Sequence, residues 1–135
     1  MSALTADRNT PSRDNVDFEF PVAASTKIYA GGLTCLNAAG TATKGAVSTT
    51  LKTVGVAQAT VDNSAGAAGD KRVKVRRGCF KFGNSASTDL ITLANVGASA
   101  YIVDDQTVAL TSGSSTRSIA GTIRDVESDG VWIEI

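Results

Sequence analysis

The chain has 135 residues, room for one domain with or without a tail, and enough surface to bury a core without metal or disulfide staples. Its 13 lysines and arginines balance 13 aspartates and glutamates, so no net field draws it to nucleic acid or to an anionic membrane. It contains no histidine, which removes the commonest general base and metal ligand, and no apolar run of about 18 residues, which excludes a membrane-spanning helix.

Residues 1–16 are polar, carry charges of both signs and include Pro11, with neither helix nor strand period. They are expected to form an extended arm that orders only against a partner. The opening MSALTADRNTPSRD has no apolar h-region, so no secretory signal is expected. Residues 17–135 form the folded domain. The anchor Val16-Asp17-Phe18-Glu19-Phe20-Pro21 leads into it, with apolar and acidic residues alternating. Phe18 and Phe20 share one face of a strand, and Pro21 marks its end or a sheet edge.

The rest is dense in Gly, Ser, Thr, Ala and Val, a composition that glycine alone makes costly for helices. Lys27–Ala30 runs into a Gly31-Gly32 turn. Leu33–Leu36 and Thr53–Ala59 are predicted strands, and 61–70 an exposed loop. In DKRVKVRRGCFKF (70–82), Val73 and Val75 lie on one face and Arg72, Lys74 and Arg76 on the other. Phe80 and Phe82 then break the phase, which predicts a β-bulge at Arg77-Gly78 that returns the aromatics to the valine side. Residues 88–97 suit one short helical turn, capped by Thr88 and ended by Gly97. Ala100–Val103 and Thr107–Leu110 predict a hairpin around Asp104-Asp105-Gln106. A final hairpin places Ile119, Gly121 and Ile123 inward, turns at Ser128-Asp129-Gly130 in type I′ geometry, and returns with Val131, Ile133 and Ile135 inward. Many short strands with regular turn signals predict an all-β fold, a small β-sandwich or barrel. Its small aliphatic core and scarce aromatics leave part of the stability to association with other chains.

Nothing in this pattern assembles catalytic chemistry. Asp104-Asp105 is a turn signal, since neighbouring side chains point apart. Asp62, Asp70, Asp89 and Asp104 follow no calcium-loop spacing, and Gly66–Arg72 lacks the G-K-[ST] end of a phosphate loop. Cys35 and Cys79 lie far apart, outside any C-x-x-C, and are expected to behave as reduced, small apolar residues. No cofactor or metal is expected. The basic strand face lacks exposed aromatics for base stacking, which counts against direct nucleic-acid binding.

FPVAASTKIYAGG (20–32), VGVA (54–57), AGD (68–70) leading into VKVRRG (73–78), AYIVDDQTV (100–108), AGTI (120–123) and GVWIEI (130–135) resemble, in order, the small decoration or cement proteins of tailed-bacteriophage heads. The likeness spans 17–135 and lies in strand and turn signals. It implies a β domain without enzymatic activity that binds the outside of the mature capsid, between major capsid subunits, and resists the pressure of packaged DNA. It implies the major capsid protein and other copies of the chain as partners, in a homo-oligomer with trimer favoured over dimer. It implies a virion location after synthesis in the bacterial cytoplasm, with no membrane contact. The contact residues expected are Arg13, Val16, Phe18 and Phe20 within 8–20, and secondarily Arg72, Lys74 and Arg76. The strand at 17–20 also suits addition to a neighbour's open sheet edge. Another virion part, such as a fibre base or tail component, and a nucleic-acid-binding module are the alternatives.

Overall fold

The computed structural model describes residues 2–135. Residues 2–15 lie outside every strand and are exposed. The described residues then form twelve strands: β1 (Asp17–Pro21), β2 (Thr26–Ile28), β3 (Leu33–Leu36), β4 (Ala42–Lys44), β5 (Lys52–Ala57), β6 (Val61–Asn63), β7 (Arg72–Arg76), β8 (Cys79–Phe82), β9 (Ser99–Ile102), β10 (Val108–Ala109), β11 (Ile119–Glu127) and β12 (Gly130–Glu134). They build two five-stranded sheets, ordered β1-β7-β5-β3-β4 and β10-β9-β11-β12-β8, and a two-stranded sheet β2-β6. The protein is all-β, and the sheets form a sandwich rather than a closed barrel.

Two cores lie between the layers. The first collects Leu33, Cys35 and Val56 from one large sheet and Phe82, Ile102, Ile123, Val131 and Ile133 from the other. The second lies on the opposite face of the β1-containing sheet and holds Val22, Ile28, Ala42, Ala57, Val73 and Val75, with Phe18 and Phe20 packed against it. Side chains are small, as the composition predicts, and Phe82 is the one buried aromatic among the described residues. Each fully buried Val, Leu or Ile contributes about 1.5–3 kcal/mol, so many modest contacts hold the fold.

Residues 72–82 connect the two sheets. Arg72, Lys74 and Arg76 are exposed and Val73 and Val75 fully buried, the alternation of a half-buried strand. The bulge expected at Arg77-Gly78 is not there. The ladder pauses between Arg76 and Cys79, at a bend where Gly78 has a φ of +159°, but the bonding phase is kept across it: Arg77 N–H donates to the Val16 carbonyl at 2.8 Å on one edge, and Ile135 N–H donates to the Gly78 carbonyl at 2.8 Å on the other. The phase changes because the chain leaves one sheet and enters the other. Odd-numbered valines of β7 fill the second core, while even-numbered Phe80 and Phe82 of β8 face the first.

Other elements depart from expectation for local reasons. Residues 61–63, expected in a loop, pair with β2, and Asn63 is buried with its Nδ2 donating to the Ala23 and Ala67 carbonyls, both at 3.0 Å. The single helical turn expected over 88–97 is two separate 3-10 turns, Ser87–Asp89 and Leu93–Asn95. The Asn84 side chain brackets Ile91 between them, accepting from its N–H at 3.0 Å and donating to its carbonyl at 2.8 Å. That places Ile91 in the core and prevents a continuous helix. Thr92, not Thr88, starts the second turn, its N–H donating to Asn95 Oδ1 at 2.8 Å.

The last hairpin is paired as expected, with bulges between Ile119 and Gly121 and between Ile123 and Asp125. The first bulge turns Ile119 outward, 53% exposed, and sends Ala120 inward instead. Glu127 pairs with Gly130, so Ser128-Asp129 forms the loop. Neither residue has a positive φ, so the turn is not type I′. Gly130 is required by packing: a Cβ there would sit 2.7 Å from Lys81 Cγ and 2.8 Å from the Phe82 carbonyl oxygen.

Gly55 is the most constrained glycine of the β5–β7 seam. Its φ is +149°, and a Cβ would lie 2.6 Å from the Arg76 carbonyl oxygen. Gly55→Ala must therefore push β5 away from β7 and strain its own backbone. A loss of roughly 2–4 kcal/mol is expected, read as a lower urea midpoint at unchanged m-value; an unaltered midpoint would contradict this account of the seam.

Candidate contact surface

The β1 strand is an edge strand, paired to β7 in the register Asp17–Arg76, Phe18–Val75, Glu19–Lys74, Phe20–Val73 and Pro21–Arg72. Its alternation is enforced from both sides. Phe18 and Phe20 lie opposite valines, half-buried, with ring centroids 6.3 Å apart and planes inclined by 16°. Asp17 and Glu19 lie opposite basic residues on the other face. Arg72 Nε donates to Glu19 Oε1 at 2.7 Å, and Arg76 Nε donates to Asp17 Oδ1 at 2.9 Å. These side chains are 42–63% exposed, so solvent screens each pair and neither adds much to stability. Their consequence is register: Asp17 and Arg76 lie directly across the antiparallel pair and Glu19 and Arg72 diagonally, and both favour this alignment.

The sequence-predicted contact residues therefore divide. Arg13, Phe18, Lys74 and Arg76 converge, with Asp17, Glu19 and Gln58, on an open groove of about 470 Å³. The Arg13 guanidinium lies over the Phe18 ring, 4.6 Å from its centroid. Val16 stands at the mouth of the arm, 43% exposed, its carbonyl held by Arg77. Arg72 lies outside this groove and is tied to β1 twice, through the Glu19 carboxylate and, at 3.1 Å, the Glu19 carbonyl. Arg72 and Arg76 are thus already neutralised by β1. Lys74 and Arg13 have no ion-pair partner among the described residues. Phe18 and Phe20 anchor β1 to its own core as well as lining the surface. Truncating both would weaken the fold along with any contact.

The open edge of β1 is short. Val16 and Val22 both bond towards β7, so by antiparallel alternation Asp17, Glu19 and Pro21 present their backbones outward. Pro21 has no N–H, and Arg72 caps the Glu19 carbonyl. Only Asp17, through both groups, and the Glu19 N–H remain for strand addition, an edge guarded in the usual way.

The carboxylates considered for chemistry are scattered and occupied by turns. Asp104 Oδ1 accepts from Gln106 N–H at 2.9 Å, Asp70 Oδ2 from Ala67 N–H at 2.9 Å, and Asp62 Oδ1 from Ser64 N–H at 3.0 Å. Asp89 accepts from the Thr111 hydroxyl and, at 3.2 Å, from Arg117. Among the described residues no three His, Cys, Asp or Glu side chains gather as a metal site. Cys35 lies in the first core, where burial pushes its thiol up to about 11, partly offset by a hydrogen bond with Thr53. Cys79, expected to be a small apolar residue, is exposed on β8.

Comparison of the chain with protein-family models, with curated proteins and with solved structures returns no match in any of the three.

Two measurements check this arrangement. A thiol reagent at neutral pH should label Cys79 alone in the native chain and both cysteines in denaturant; rapid native labelling of two thiols would contradict the burial of Cys35. Hydrogen bonds hold Asp62, Asp89 and Asp129 below the ordinary carboxylate value, from Ser64, Thr111 and Lys81 respectively. These groups bind protons less readily folded than unfolded. Their stabilisation is present above the unfolded pKa of about 3.9 and is lost as pH falls through the lower folded values. The urea midpoint should drop on acidification below about pH 4, and replacing all three by Asn should flatten that drop.

Proposed function

We propose that the chain is a decoration protein of a bacteriophage head, a structural component that binds the outer surface of the mature capsid at contacts between major capsid subunits. The reading rests on the likeness across 17–135, and one structural observation carries it further. An exposed arm feeds directly into an edge strand, and its Arg13 shares a groove with that strand and its neighbours. A chain built this way can lay an uncommitted segment along another surface while the body keeps its own register. Ordering the arm costs conformational entropy at binding, but covers much surface for few residues.

Capsid contact is assigned to the arm and groove, with Arg13 and Lys74 supplying the unpaired cations and Val16 the exposed apolar contact. Arg72 and Arg76 act as the braces that hold β1 in place. Leu90, Leu93 and Val96, each 45–65% exposed beside the 3-10 turns, offer apolar area for contact between copies. In a trimer or dimer, each weak contact gains by effective concentration when several copies engage the shell together.

The test is occupancy on purified heads. Deleting 2–15 should lower occupancy at least about tenfold, a loss of roughly 1.4 kcal/mol or more per copy, while the body keeps its β fold. The double change Arg13→Glu, Lys74→Glu should weaken binding by a smaller, salt-dependent amount. Full occupancy by the armless body would overturn the assignment of the arm, and no binding of the intact chain to any mature head would overturn the function.

A further inference from the structure

The chain running from β7 through the bend at Gly78 into β8 keeps the same bonding phase and has two edges. Its even-numbered residues bond to β5 along β7 and to β12 along β8: Gln58 N–H donates to the Lys74 carbonyl at 2.9 Å, and Phe80 and Phe82 pair with Ile133 and Val131. Its odd-numbered residues face the other way. Over β7 that edge is covered by β1, up to the bond between Arg77 and Val16. At the far end Gly83 is also occupied, donating to the Gln106 carbonyl at 2.7 Å and accepting from Val108 N–H at 3.0 Å. Between them the N–H and C=O groups of Cys79 and Lys81 have no hydrogen-bond partner among the described residues. This is a gap of two residue pairs in an otherwise continuous edge.

We propose that this gap is the docking strip for residues 12–15 of the chain's own arm, as an extension of β1 beyond Arg77. Register carries the argument. In the β1–β7 ladder, paired residue numbers sum to 93. Continuing that sum places Asp14 opposite Cys79 and Ser12 opposite Lys81, both in the hydrogen-bonding phase that Val16 and Arg77 establish. All four unpartnered groups of β8 would then be paired. Pro11 falls opposite Phe82 in the non-bonding phase, so its missing N–H costs no bond. The next bonding position, Gly83, is already taken. The gap and the arm end together.

Side chains agree with this seat. Asp14 would stand diagonal to Lys81 on the solvent face, within reach of opposite charge. Arg13 would move from the Phe18 ring to a position opposite Phe80, a half-buried ring with the same affinity for a cation. In the present structure the arm turns aside at Asn15, whose Oδ1 accepts from Arg77. The arm therefore has two seats: one over the groove and one along β8. A partner that draws the arm away leaves the β8 edge open.

Cys79 supplies the reporter. Asp14→Cys places two thiols directly opposite on adjacent strands, within the Cα separation that a disulfide spans. Mild oxidation of the full chain should give an intramolecular disulfide at least about tenfold faster than in an Arg8→Cys control, at dilution where only monomers cross-link. Equal rates, or disulfides only between chains, would overturn the proposal. Amide exchange gives a second reading without added cysteine. The Cys79 and Lys81 amides should exchange about fivefold or more slowly in the full chain than in a chain lacking 2–15 or carrying Asp14→Pro. Identical exchange in all three chains would also overturn it.

Discussion

The structure depends on one stretch, residues 72–82, whose two strands β7 and β8 meet at the bend of Gly78 and belong to different sheets. A β-strand exposes its side chains on alternate faces, so one stretch can serve two cores only if different halves are covered on different sides. Val73 and Val75 meet the core behind the first sheet, and Phe80 and Phe82 meet the core between the large sheets. The β5 and β12 strands bond to one edge of this stretch and β1 bonds to the other. Glycine at 55 and at 130 lets β5 and β12 approach it closely enough.

That stretch also marks the limit of what the sequence makes legible. The alternation within 72–76 and the inward aromatics were both readable, as were the β3 strand and the β9–β10 and β11–β12 hairpins, because each is a local run bounded by turn residues. A change of phase between two runs has two physical solutions, an inserted residue or a change of sheet, and the local pattern is the same for both. The distinction lies in which strands bond to each edge, a non-local fact. Ile119 and Ala120 show the same limit: period two predicts Ile119 inward, and a bulge set by its pairing with β9 reverses it. Gly130 was legible as necessary, but its reason is the neighbouring β8 strand rather than its own turn.

The contact surface was legible to a similar depth. Composition indicated that residues 72, 74 and 76 form a wet basic face, and that 17 and 19 are acidic. That these two sets lie across from one another required the β1–β7 register, which spans more than fifty residues of sequence. Once paired, Arg72 and Arg76 cease to be free cations and become part of what fixes β1. The unpaired positive charge shifts to Lys74 and to Arg13 on the arm. Phe18 and Phe20 likewise serve the fold first, since one side of each ring is held by the valines of β7.

A thin aliphatic core and guarded edges set the terms on which this chain can bind. Exposed sheet edges invite pairing with any passing strand. Here Pro21 and the Arg72 cap shorten the β1 edge, and Lys81 stands on the short open stretch of β8. The body therefore offers little indiscriminate backbone, and contact falls to side chains and to the arm. An arm with so few apolar residues cannot gain much from burial alone. A tethered arm can instead gain by continuing an existing ladder, which adds bonds without burial of apolar surface.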